Sequence, residues 1–236
     1  MTNLAILSLR TGRLAPLGPR GVPSGIDKSE VSAPLMLSKT GFVGDEQGDT
    51  AKHGGPEKAV HHYPLDHYPA WADTMGDHPR LSSSGAFGEN ISTSGLTETD
   101  IAIGDVFRLG TAVVEVSQGR QPCWRLNERF GRKTMAREVQ ETGRTGWYFR
   151  VIETGTVSPG DQLTLLERKA SEWTIARIWR AFYIDRLNHA ELRGIAALEP
   201  LAESWRNYAA RRLKSGKVED WSKRLDGPRE DQQVIG

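Results

Sequence analysis

Through the first two-thirds of the chain, apolar residues come in short runs cut by glycine and proline. Leu4–Leu9, Pro34–Leu37, Ala59–Tyr63, Ile101–Ile103, Val106–Leu109, Ala112–Ser117, Trp147–Ile152 and Gln162–Leu166 read as strands. Their alternation and β-branched content fit a pleated, half-buried surface. Gly18-Pro19, Gly54-Gly55-Pro56, Gly104-Asp105 and Pro159-Gly160-Asp161 supply the turns. Strands this short and this closely spaced predict a barrel or sandwich-like β domain. Helices interrupt it: one opening at Pro64 and running through His67, Tyr68 and Trp71, one from Trp124 to Phe130, and one over Lys133–Glu141 ahead of Gly143. Near Arg168 the period changes. Trp173, Ile175, Ala176, Ile178, Trp179 and Phe182 form an apolar helical stripe. Asp185 is a candidate cap for a second helix through Leu187, Ala190, Leu192 and Ile195; Pro200 separates a third with Leu201, Trp205, Tyr208 and Leu213; a last piece holds Val218, Trp221 and Leu225. The expected fold is a mainly β core with peripheral helices plus a small C-terminal all-α module. The division is residues 1–168, residues 169–227, and a polar tail over 228–236.

Composition narrows the class. The chain has 236 residues, 37% hydrophobic and 26% charged, as an ordinary soluble globular protein does. A formal net charge of +1 gives no bulk attraction to nucleic acid or membrane. Arg10 and Arg13 interrupt the N-terminal stretch, and no run approaches the roughly 20 apolar residues that span a bilayer. The single cysteine, Cys123, excludes an intramolecular disulfide and any zinc site built on paired cysteines, and fits a reducing cytoplasm.

That cysteine lies in Ser117-Gln118-Gly119-Arg120-Gln121-Pro122-Cys123-Trp124-Arg125, between a predicted strand and a predicted helix. Unpaired backbone N–H groups at a helix start favour an anion, Arg120 and Arg125 add positive charge, and Pro122 restricts the backbone. Together these favour thiolate over thiol. A thiolate there can serve as nucleophile, redox sensor or ligand to a soft metal. The plain alternative is a small buried hydrophobe.

Four other segments carry candidate chemistry. His53-Gly54-Gly55-Pro56-Glu57-Lys58 leads into His61-His62-Tyr63. Adjacent glycines expose backbone donors, and Lys58 suits a phosphate. His61 and His62 point to opposite faces if the segment is a strand, so they do not share a metal. Gly44-Asp45-Glu46-Gln47 and Phe87-Gly88-Glu89-Asn90 are turn material that can also hold neighbouring loops through buried carboxylates. Thr142-Gly143-Arg144-Thr145-Gly146 is a glycine-bracketed loop suited to a phosphate or carbonyl-rich heterocycle, or a helix cap leading to a strand. The basic run Arg206, Arg211, Arg212, Lys214, Lys217, Lys223, Arg224 is diluted by acids and reads as a solvated helix face before it reads as a nucleic-acid site.

These segments, in their order and spacing, resemble the MOSC family, named for the C-terminal domain of molybdenum-cofactor sulfurase, in its bacterial branch linked to hydroxylaminopurine resistance. The likeness rests on Gly44–Gln47, His53–Tyr63, Phe87–Asn90, Gly104-Asp105, Ser117–Cys123 and Gly143 with Gly146-Trp147. The helical C-terminus resembles the three-helix domain of that branch, through Trp205, Arg211–Leu213 and Ser215–Lys217. The resemblance implies a β-barrel-like core that binds molybdopterin-type molybdenum cofactor, with Cys123 as the metal ligand. It implies reduction of N-hydroxylated bases or amidoximes with electrons from a partner reductase. His61 and Glu89 are the further catalytic candidates; His53, Gly54, Gly55, Lys58, Asn90, Ser117, Arg120 and Arg144 are the cofactor-binding ones. Gly119 stands where proline is expected and predicts a looser approach to Arg120. A rival reading is a cofactor or sulfur carrier without turnover. The C-terminal helices equally suit a docking module, a homodimer interface or a landing surface for the electron donor, with their tryptophans core by default.

Overall fold

The structure, a computed structural model, describes residues 3–49 and 54–228. Among them are fourteen strands and seven α-helices. In chain order they are β1 Asn3–Ala5, β2 Ser8–Thr11, β3 Ala15–Leu17, β4 Val22–Ser24, β5 Ser29–Glu30, β6 Leu35–Ser38, β7 Gly41–Phe42, β8 Val60–His62, α1 Tyr68–Met75, β9 Ile91–Ser92, β10 Val106–Leu109, β11 Ala112–Gly119, α2 Arg125–Phe130, α3 Met135–Thr142, β12 Trp147–Glu153, β13 Gly155–Val157, β14 Gln162–Glu167, α4 Ile175–Tyr183, α5 His189–Ala197, α6 Glu203–Ser215 and α7 Ser222–Asp226.

Nine strands form one mixed sheet in the order β1-β14-β10-β11-β12-β8-β9-β2-β5, curled into a half-barrel. Every pairing in it is antiparallel except β8 with β9, joined at His62 and Ile91. Small sheets β13-β6-β7 and β3-β4 flank it. The central hairpin is β10–β11, in register from Val106 opposite Glu115 to Leu109 opposite Ala112. Its apolar residues alternate inward: Val114, Val116 and Phe107 are fully buried.

The helical module has no core of its own. One cluster contains Phe107, Val116, Trp147 and Phe149 from the sheet together with Ile175, Trp179, Phe182, Leu192 and Trp205 from α4, α5 and α6. A second cluster, around Tyr63, Trp71, Phe87, Leu126, Phe130 and Leu225, lies under the cysteine segment and joins α1, α2, α3 and α7.

Several expectations change on contact with the fold. Ile101–Ile103 is not a strand; Ala102 makes only an isolated bridge to Thr174. Asp185 does not cap α5. Its N–H still bonds to Arg180 O in the closing turn of α4, and the cap is Asn188, whose side chain accepts from Ala190 N and Glu191 N. Pro64 opens a 3-10 turn over Leu65–His67, and it is Pro69 that sits in the first turn of α1. Gly119 does not begin a loose loop. It ends β11 opposite Trp147, and a Cβ there would lie 3.2 Å from Trp205 Cη2, 3.4 Å from Ile175 Cγ2 and 3.6 Å from Trp179 Cε3. The glycine is the notch into which the module's tryptophans pack.

Candidate functional site

The ends of β8, β11 and β12 meet the loops 24–28, 44–49 and 87–90 around a cleft of about 700 Å³, open to solvent. Gly54, Lys58, His61, Asn90, Arg120 and Cys123 line it, with Lys28, Asp45, Arg125 and Tyr148. Strand geometry places three of these: His61 lies in β8, Tyr148 in β12, and Arg120 follows the last residue of β11. The Arg120 N–H donates to Gly146 O at 3.1 Å, which continues the β11–β12 pairing past the strand.

Cys123 lines the cleft but is mostly covered, at 8% exposure. It stands two residues before α2, whose first residue is Arg125, and its carbonyl accepts from Leu126 N at 2.9 Å. Lys58 is a cation that Cys123 acts on electrostatically. Burial lowers the Lys58 pKa, while the charges of Cys123 and Asp49 act against that lowering.

His61 has its Nε2 buried without a hydrogen-bond partner among the described residues, and so has Arg120 at Nη1. Burial first, then the Arg120 charge, pushes the His61 pKa well below the usual histidine value, with a backbone hydrogen bond at Gly88 opposing. His61 is therefore a neutral imidazole at neutral pH. Its ring lies 5.0 Å from that of Tyr148. Burial raises the Tyr148 pKa, against the charge of Arg120 and a hydrogen bond from it, so its hydroxyl stays protonated.

The wall behind these groups is a buried polar network. Asp45 pairs with Lys28, accepts from Gly12 N at 2.7 Å and accepts from Asn90 Nδ2 at 2.9 Å. Asn90 Oδ1 accepts from His61 N at 3.0 Å, which fixes β8 against the loop. Burial lowers the Lys28 pKa despite Asp45 beside it. Asn90 thus lines the cleft and also orders its wall, and Asp45 is the loop-holding carboxylate the tetrapeptide suggests.

Four of the predicted site residues that the structure describes, Glu89, Ser117, Arg144 and Gly55, do not line the cleft. Glu89 is fully buried behind it, accepting from Tyr68 OH at 2.7 Å, Gly85 N at 2.5 Å and Phe87 N at 3.0 Å, so its carboxylate shapes the 85–89 loop. The Ser117 hydroxyl donates to Glu57 O at 2.6 Å and to Tyr148 O at 3.1 Å, pinning the 3-10 turn that carries Lys58. The Arg144 guanidinium lies over the Trp71 ring, 5.4 Å from its centroid, and its carbonyl accepts from Tyr63 OH. Gly55 opens that same 3-10 turn with φ +82°, where a side chain is strained. His53 lies outside the described residues.

Sequence reasoning missed Lys28 and Glu98. Lys28 sits in an unremarkable Ile26-Asp27-Lys28-Ser29 stretch, and only its pairing with distant Asp45 brings it to the cleft. Glu98 accepts from Thr145 N at 2.8 Å, Gly146 N at 2.6 Å and His67 Nε2 at 2.7 Å, and so holds the loop that bonds Arg120. No local pattern marks it.

The strand ends of the half-barrel thus gather one thiol, four cations, three carboxylates and two buried nitrogens without a partner among the described residues around one cleft. The MOSC domain model matches residues 49–164, and the YiiM-like, 3-alpha helix domain model matches 173–216. Protein YiiM of Escherichia coli (strain K12) is 41% identical over 89% of this chain and 93% of its own length. A protein named Reductase from Gibberella moniliformis (strain M3125 / FGSC 7600) is 36% identical over 89% of this chain, which spans 37% of that longer protein. The crystal structure of YiiM from Geobacillus stearothermophilus superposes with a TM-score of 0.76 at 36% identity, covering 89% of this chain and 99% of that one. The chain belongs to the MOSC family and carries its YiiM-like three-helix domain.

Proposed function

We propose that this protein is a molybdenum-cofactor-dependent reductase of N-hydroxylated compounds, of the hydroxylaminopurine and amidoxime type, with electrons supplied by a partner reductase. The observation that carries the reading is that Cys123 shares one cleft, lined by four cations and three carboxylates, with two buried nitrogens that have no hydrogen-bond partner among the described residues, His61 Nε2 and Arg120 Nη1. Buried polar atoms are ordinarily bonded, so a pair left open at a cleft marks the place of a ligand. The donor set fits the group: a thiolate for a soft metal, and cations for a phosphate. The name of the fungal relative points the same way.

Bound there, the cofactor supplies two-electron reduction of an N–O bond. The protein holds and orients it. Cys123 Sγ ligates the metal. Lys58, Arg120 and the backbone at Gly54 hold the anionic end, with Arg125 at the rim. Neutral His61 can donate or accept a hydrogen bond at Nε2, according to its tautomer. Tyr148, kept protonated by burial, offers a donor on the same wall. The balance is N–OH plus two electrons and two protons, giving the amine and water. The single reduced thiol suits a cytoplasmic setting.

The test is cofactor-loaded protein with a chemical reductant and N6-hydroxyadenine or benzamidoxime. Turnover that disappears in Cys123→Ala is expected. Full turnover in that variant refutes the assignment, and cofactor binding without turnover in the parent protein makes it a carrier.

A further inference from the structure

β3 and β4 form a sheet of their own, paired from Ala15 opposite Ser24 to Leu17 opposite Val22 and closed by a turn in which Gly21 N donates to Gly18 O at 3.0 Å. A two-stranded ribbon is marginal alone and needs outside support. Of residues 13–23, only Leu17 is buried and Val22 half-buried. Support therefore comes at the two ends. At the stem, Gly12 N donates to Asp45 Oδ1 at 2.7 Å, Glu46 N donates to Gly12 O at 2.8 Å and Leu14 N donates to Glu46 Oε2 at 2.7 Å. Backbones also touch there: a Cβ at Gly25 would lie 1.8 Å from Glu46 O, and one at Gly48 would lie 2.0 Å from Pro23 O.

The tip is held by less. Arg20 Nη2 pairs with Glu128 Oε1 at 2.7 Å, the same guanidinium lies over the Trp124 ring at 4.5 Å from its centroid, and Arg20 Nη1 donates to Pro228 O at 3.4 Å. Both side chains of the ion pair meet solvent, at 28% and 18% exposure. Ion pairs and cation–π contacts in such places contribute little each, so the tip is the end that opens first. The two ends stand on different parts of the cleft wall. Ser24, Gly25, Glu46 and Gly48 at the stem line the cleft, and so does Arg125 of α2, the helix that carries Glu128. Trp124, beneath the Arg20 guanidinium, directly follows Cys123.

We propose that the β3–β4 ribbon is a flap on the cleft: it pivots on its fixed stem, Arg20 on Glu128 and Trp124 is its latch, and release of the latch uncovers Cys123. The step is a change of conformation alone, and it needs neither molybdenum nor the reductase reading.

The experiment is the rate of iodoacetamide alkylation of Cys123 in the full, cofactor-free chain, read on the Cys123 peptide by mass spectrometry. Glu128→Gln should raise it about twofold to fivefold, the scale of a lost surface ion pair. Arg20→Gln, which loses the ring contact as well, should raise it about tenfold. The two substitutions change the local charge in opposite senses, so a rise shared by both reports access and not a more acidic thiol. A covalent latch is the complementary variant. A Cβ at Gly18 would lie 3.1 Å from Glu128 Cβ, close to the span of a disulfide, so Gly18→Cys combined with Glu128→Cys can bridge tip and helix. Cys123 should react about fivefold more slowly in the bridged chain than in the same chain reduced. Unchanged rates in both glutamine variants, a rise in Glu128→Gln alone, or equal rates in the bridged and reduced chains would each overturn the proposal.

Discussion

The segment from Ser117 to Arg125 has two unlike faces. Towards the cleft it presents Arg120 and Cys123, with a buried guanidinium nitrogen left unpartnered. Towards the helices it is densely bonded and packed, with Gln118 Oε1 alone in the segment buried without a partner there among the described residues: Ala202 N donates to Ser117 O, Gly119 is packed by Trp205, Ile175 and Trp179, Gln121 bonds Tyr183, Arg224 bonds Pro122 O, and Trp124 N donates to Arg224 O. The difference teaches how an open site survives in a marginally stable protein. Buried polar atoms without partners are costly, and the packed, bonded rear face offsets that cost and holds the front face in shape. Substitutions behind the segment should therefore move stability, and substitutions in front of it should move binding.

The largest effect separating the faces is expected at Arg224. Arg224→Ala removes charged hydrogen bonds to Pro122 O and Gln140 Oε1, and should cost about 3 kcal/mol of unfolding free energy, measured by urea denaturation of the cofactor-free chain. On the cleft side, Lys58→Met should weaken cofactor retention about tenfold to a hundredfold while leaving the unfolding free energy unchanged or slightly raised, since burial already disfavours the Lys58 charge. A Lys58→Met chain as unstable as Arg224→Ala would erase the distinction.

A third prediction concerns the sheet beneath both faces. His62, stacked 4.1 Å from Trp147 and bonded to Thr93, has its pKa lowered from 6.5 to about 3 by burial first and by His67 second. The unfolded chain takes up that proton first on acidification. The stabilisation is therefore full above about pH 6.5 and is lost as pH falls towards 3. Between pH 7 and 5 this group alone should remove about 2 kcal/mol. His62→Gln should flatten the slope of urea midpoint against pH over that interval. An unchanged slope would mean that other groups carry it.

The smallest effect is expected at Gly119. Gly119→Ala brings a Cβ to 3.2 Å from the Trp205 ring edge, and overpacking there should cost about 1 kcal/mol, read as a lowered melting temperature. Cofactor retention should follow only as far as Arg120 shifts.

Much of this division was legible beforehand. Strand alternation, glycine punctuation and the period change near Arg168 carried the half-barrel and the helices, because local patterns report local structure. The cysteine segment was legible because its proline, arginines and flanking strand are contiguous. The side of the wall on which Glu89, Ser117 and Arg144 would fall was not. Each lies beside true cleft residues in sequence, but backbone direction turns Glu89 into its own loop, Ser117 towards Glu57 O and Arg144 onto Trp71. Lys28 and Glu98 were invisible for a different reason. Their partners lie 17 and 47 residues away, and long-range pairing leaves no periodic trace.

The central claim is that the front face, through one sulfur atom, retains a molybdenum-bearing group. The most direct measurement is molybdenum and pterin content of the protein purified from a molybdenum-replete host, alongside Cys123→Ser purified in parallel. Near-equal amounts of metal and pterin in the parent, with metal lost from a folded Cys123→Ser chain, are the predicted result. Metal and pterin undiminished in Cys123→Ser, or absent from both chains after reconstitution with cofactor, would contradict it.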